Sequence, residues 1–107
     1  MSLTGKGRRD KGVRGEHEVA EAFREGGFEL RGLESSGDHL VVVTRDGLFR
    51  TLLHVESKRQ EKIRILEWSR QAEAERPPAT VAVVAYRPSR EPWRVSLLLD
   101  EFVDLLR

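Results

Sequence analysis

Four residues in this chain are of the right types, at the right spacing, to do chemistry together: Glu16, Asp38, Glu56 and Lys58. Glu16 falls on a helical stripe with Ala20 and Phe23, at i, i+4 and i+7, with Val19 beside it, and such a stripe should face the rest of the fold. An unpaired carboxylate in that place is costly. Asp38 opens one extended run after Gly37, and Glu56 and Lys58 end another. Residues two apart on a strand share a face, so Glu56 and Lys58 project together, next to His54. Singly, each has a plain structural account: an acid in a first helical turn favours the helix dipole, and Glu-x-Lys on a strand end is a common surface ion pair. The conjunction is less common, and it supplies what phosphodiester hydrolysis needs. Carboxylates hold a hard divalent cation such as Mg²⁺. The cation polarises the phosphate and lowers the pKa of a bound water. A nearby lysine orients that water or stabilises charge developing on the phosphorane oxygens.

The elements that must position these residues are legible in the pattern. A helix is predicted over Val13–Glu25, stopped by Gly26–Gly27. Phe28–Leu33 reads as a short strand. His39–Arg45 and Leu48–Lys58 are β-rich runs on either side of Asp46–Gly47, a hairpin signal. Ile63–Glu75 has a helical pattern with Ile65, Leu66, Ser69 and Ala72 on one face, and Pro77–Pro78 ends it. Thr80–Tyr86 is nearly all apolar, as a central strand buried on both faces would be. Trp93–Leu99 reads as a further strand, and Asp100 as the cap of a last helix through Leu106. The order αβββαββα predicts an α/β fold, a mixed sheet with helices on its faces. Residues 1–12 read as a basic flexible arm and 13–107 as one domain. Trp68, Trp93 and Phe102 are of the type that stacks on bases, but at helical or strand spacing they read as core or dimer interface.

Composition narrows the classes. With 107 residues and no cysteine, the chain makes one small domain with no disulfide framework or thiolate metal site. Charged residues make up 35% and apolar residues 38%, and the mean hydropathy is -0.50. That is a soluble, globular composition, and the aliphatic run Leu40–Val43 is far below the ~20 residues a spanning helix needs. The basic start has no apolar stretch after it, so a secretory signal is not expected and a cytoplasmic protein is. The net charge of +1 hides an uneven distribution. Lys6, Arg8, Arg9, Lys11 and Arg14 face only Asp10; Lys58, Arg59, Lys62 and Arg64 face only Glu61; the end of the chain is acidic. Clustered cations of this kind suit a polyanion, because they displace counterions from phosphates.

Asp38…Glu56-x-Lys58 resembles the PD-(D/E)xK nuclease motif. The finer pattern is similar to the archaeal-type Holliday junction resolvases, which also occur in phages. The resemblance runs through Lys11-Gly12-x-x-x-Glu16-x-Glu18, Gly27-Phe28-x-x-Arg31, Ser35-x-x-Asp38 and Val55-Glu56-x-Lys58. It continues in Leu66-Glu67-x-Ser69 and in Val81–Ala85 followed by Trp93-Arg94, and so covers roughly residues 11–98. It implies a restriction-endonuclease-like fold, with Glu16, Asp38 and Glu56 around Mg²⁺ (Mn²⁺ being the second choice) and Lys58 activating water. It implies backbone contacts near the cut from Arg31 and Ser35. Gln60, just beyond Lys58, is a weaker candidate, and the charge pattern makes the basic residues Lys6, Arg8, Arg9, Lys11 and Arg14 candidates for further phosphate contacts. The resemblance also implies a homodimer whose two sites cut opposing strands of branched double-stranded DNA. The chain departs from the pattern at Gly37, where the family has proline, and at His17, where it has arginine. The implied activity is a metal-dependent, structure-selective DNA endonuclease that resolves four-way junctions. The alternatives are a repair or restriction-type nuclease of the same superfamily, and a DNA-binding module without chemistry.

The chemistry sets a geometric condition. If Asp46–Gly47 were a two-residue turn, Asp38 would sit opposite Val55, and Glu56 would point to the other side of the sheet. A three-residue loop, Asp46-Gly47-Leu48 with Gly47 left-handed, puts Asp38 opposite Glu56, Leu40 opposite His54 and Val42 opposite Leu52. Opposed side chains lie ~5 Å apart at Cβ, within reach of one cation. The reading therefore requires the three-residue loop, or a tight turn corrected by one bulge. Among the histidines, His39 should face away from Asp38, and His54 shares the Glu56 face.

Overall fold

Helix α1 spans Gly5–Glu25 in a computed structural model that describes residues 5–32, 38–45, 47 and 49–107, with the side chains of 5–11, 45 and 49 excepted. Its end follows from the two glycines. Gly27 adopts φ +88, its N–H donates to Arg24 at 2.9 Å, and Phe28 N–H donates back to Phe23 at 3.0 Å. This is the Schellman arrangement, and the Phe23 and Phe28 rings close it edge to face at 6.3 Å. The start differs from the expectation: helical backbone begins at Gly5, so it takes in residues 5–12 that read as part of the arm. Lys and Arg are good helix formers, and adding residues to a packed helix is far cheaper than nucleating one.

The remaining elements are β1 (Glu29–Gly32), β2 (His39–Arg45), β3 (Phe49–Lys58), α2 (Ile65–Glu75), β4 (Thr80–Tyr86), β5 (Arg94–Ser96) and α3 (Leu99–Leu105). The element order is the predicted one. They make an α/β fold with a five-stranded mixed sheet in the order β1-β2-β3-β4-β5. Strands β1 to β3 form an antiparallel meander, β4 lies parallel to β3 after the α2 crossover, and β5 runs antiparallel to β4.

Strand alternation sends two sets of side chains to opposite faces. Val41, Leu53, Val55, Val83 and Ala85 meet Val19 and Phe23 of α1, with Trp93, Leu97 and Leu105 at the margin. On the other face Ala82 and Val84 are buried beneath Trp68 and Ala72 of α2, with Ile65 and Tyr86 beside them. Because β4 is covered on both sides, it reads as one continuous apolar run. Trp68 and Trp93 are core residues, whereas Phe102 stays 42% exposed.

Helix α2 starts at Ile65 and has no side-chain cap at Arg64. It stops because Arg76, preceding Pro77, is extended at φ -62, ψ 141. The strand predicted over Trp93–Leu99 contracts to Arg94–Ser96, since Trp93 turns inward to donate its indole N–H to Glu18 at 2.8 Å. The cap expected at Asp100 is also displaced. Leu98 occupies the N-cap position, and Asp100 Oδ1 accepts from the N–H of Glu101 within the first turn.

Candidate active site

The site is built on the β2–β3 hairpin. Pairing runs Arg45–Phe49, Thr44–Arg50, Val42–Leu52, Leu40–His54 and His39–Val55, which leaves residues 46–48 as the loop. Gly47 has φ +69, the left-handed conformation that a three-residue loop requires. Asp46 and Leu48 lie outside the described residues. The register is therefore the one that the chemistry demanded, and one step beyond His39–Val55 it sets Asp38 opposite Glu56.

Contacts confirm the shared face. Asp38 Oδ2 lies 3.3 Å from His54 Nε2, and Lys58 Nζ lies 3.6 Å from Glu56 Oε1. All four side chains are largely sheltered, between 7% and 22% exposed. In β3, His54, Glu56 and Lys58 pair with Ala82, Val84 and Tyr86 of β4, so they lie on the face that α2 covers. His39 points the other way, its Nε2 3.2 Å from the main-chain oxygen of Glu16 on α1. Alternation separates it from Asp38 as expected.

Burial pushes the Glu56 carboxyl above its ordinary value. Lys58 opposes that, Asp38 and Glu75 add to it as like charges, and His54 opposes it again. Glu75, the last residue of α2, was not a sequence candidate, since nothing local says that the crossover helix ends near Glu56. His54 was noted only as sharing a face. Its ring is buried against Asp38 while Nδ1 has no partner among the described residues.

Among the described residues no contact joins Glu16, Gln60 or Arg14 to this cluster. Glu16 sits on α1, across the sheet, and its carboxylate has no partner among the described residues. It is not among the charges that act on Glu56. Among the described residues no group of three or more His, Asp or Glu side chains is arranged to hold a metal ion. Arg31 pairs with Leu40 across β1–β2, so it shares the His54 face, where it is exposed and 3.4 Å from Glu29. Gln60 is exposed beyond the end of β3, and Arg14 is exposed on α1. Ser35 lies outside the described residues, as do the side chains of Lys6, Arg8, Arg9 and Lys11. His17 is exposed. One residue of the motif has a structural role instead: Glu18 accepts from Trp93 and from Arg87 at 3.1 Å, fastening α1 to the chain after β4.

No protein-family model, curated protein or solved structure matches this chain. No described helix is long and apolar enough to cross a membrane.

Proposed function

We propose that this protein is a metal-dependent DNA endonuclease with a restriction-endonuclease-like core, acting on branched double-stranded DNA of the four-way junction type. The observation that carries the reading is the β2–β3 register, which supports Asp38 facing Glu56 with Lys58 next on the same side. The donor set fits Mg²⁺: hard carboxylate oxygens without thiolates, in the number with which Mg²⁺ is commonly held while water and substrate phosphate complete its shell. Asp38 and Glu56 would hold it, and it would supply a polarised phosphate and an acidified water. Burial raises the Glu56 carboxyl above its ordinary value, and a cation bound beside it would favour the charged form. His54 fixes the orientation of Asp38. The Lys58 ammonium beside Glu56 can orient a water or meet charge on the phosphorane oxygens. Arg31 and the basic start of α1 supply phosphate contacts, and Glu16 stands outside the two-carboxylate set.

The junction preference and a homodimer with paired cuts rest on the resemblance carried by Lys11-Gly12, Arg31 and Ser35. A DNA-binding module without chemistry is the second reading. It is favoured by the mutual pairing of Asp38 with His54 and Glu56 with Lys58, which steadies this face without a cation. Incubation with labelled four-way junction, linear duplex and single strand, each with Mg²⁺ or EDTA, decides. Junction cleavage only with Mg²⁺ is expected. Equal cleavage of all three removes the junction preference and keeps the nuclease; no cleavage with Mg²⁺ or Mn²⁺ leaves the binding module.

A further inference from the structure

We infer that the loops leaving β3 and β4 form a second phosphate track, in which Lys62 and Arg90 carry a nucleic-acid backbone toward Lys58. The inference rests on the nuclease reading for its substrate, but its observations are separate. Most described cations are neutralised locally, as Arg76 by Glu101 at 2.6 Å and Arg87 by Glu18 at 3.1 Å. Lys62 and Arg90 have no acidic partner among the described residues, and both follow the end of the sheet where β3 and β4 stop side by side. Arg59 directly follows Lys58. A Cβ placed on Gly15 would lie 3.0 Å from Arg59 Cβ, so Arg59 is taken up against α1 and the track begins at Lys62. Glu61 accepts from the N–H of Ser89 at 3.0 Å and from its hydroxyl. That contact ties the two loops side by side, with Lys62 and Arg90 each one residue from it. The Arg87 N–H donates to the Lys58 carbonyl at 3.0 Å, which fixes both loops to the strand end that carries the site.

Arg90 adds a second indication. It adopts φ +67, where glycine would be unstrained, so the chain carries an arginine there at a backbone cost. The planar guanidinium fork of Arg90 suits phosphate oxygens. Exposed Lys62 and Arg90 are free to make such contacts without first breaking an ion pair.

The test is the salt dependence of binding to four-way junction and linear duplex, measured on the full chain in EDTA so that no cleavage intervenes. Lys62→Ala and Arg90→Gly should each lower the slope of log affinity against log salt by about 0.9, the increment for one phosphate contact. Arg90→Lys should retain the wild-type slope. Arg50→Ala and Arg70→Ala remove equally unpaired cations placed elsewhere and should leave it unchanged. Slopes unaltered in Lys62→Ala and Arg90→Gly, or lowered as much in Arg50→Ala and Arg70→Ala, overturn the track and leave the loops to another partner. Cleavage by the wild type alongside unaltered slopes removes the track alone. Lowered slopes in a wild type background that never cleaves remove the nuclease reading alone.

Discussion

Glu56 sets folding against charge. Burial is the largest cause of its raised pKa, so between the ordinary carboxylate value and the raised one the folded chain binds more protons than the unfolded chain. Stability contributed by this group is present below the ordinary value, falls as pH rises through that window, and stays lost above it. Without divalent cation, Glu56→Gln should therefore melt at a higher temperature than wild type at neutral pH, with the gap closing as the medium is acidified. Thermal unfolding across pH checks this, and a gap that ignores pH would assign the effect to packing. Lys58 has a different expected signature. It has no packing role that demands an ammonium, so Lys58→Ala, like Asp38→Asn, should lower the cleavage rate by about 10²–10⁴-fold, the range for removing a proton-transfer or charge-stabilising group. Junction binding in a gel shift should remain nearly intact, because affinity rests on many phosphate contacts. Lost binding together with retained cleavage in Lys58→Ala would refute its role.

At the scale of elements, the turns carry the geometry. Gly27 and Gly47 occupy the left-handed region at φ +88 and +69, so Gly27→Ala and Gly47→Ala should each cost about 1 kcal/mol. Gly12 lies inside α1 with open space around its Cα, and Gly12→Ala should stabilise by about 0.5–1 kcal/mol. Denaturant unfolding of the three variants reads both signs. What was legible in the sequence follows the same physics. β2 and β4 were readable to the residue because β-branched runs ended at polar or turn residues on both sides. The register was readable because Asp38 and Glu56 share a face only with the three-residue loop or with a tight turn corrected by one bulge. The periodicity of α1 showed its buried stripe but not which side of the sheet it covers, so Glu16 was expected at a cluster that it does not join. Glu75 near Glu56, and the pairing of loops through Glu61 and Ser89, depend on contacts between distant segments that no local pattern encodes.

For the whole molecule, the question is what covers α3. Leu99 is 75% and Leu106 70% exposed, with Val103 between them on the same stripe. A single copy of 12.3 kDa has little to hide them with. If the proposed paired sites use this face, sedimentation should give twice the monomer mass, and Leu106→Glu should return it to one copy without lowering the melting temperature; a monomeric wild type would dismiss that assembly. The hairpin also dictates an order of events in time. Three residues join β2 to β3, so their closure costs little chain entropy and takes about 1–10 μs, whereas β4 reaches β3 only through α2. Asp38 and Glu56 are thus expected to meet before β4 and α2 pack against β3. The gain from Glu56→Gln should accordingly appear as slower unfolding, with refolding hardly changed. Kept from the proposed cation, the protein is expected to have a shortened native lifetime, set by the carboxylate on which the proposed chemistry depends.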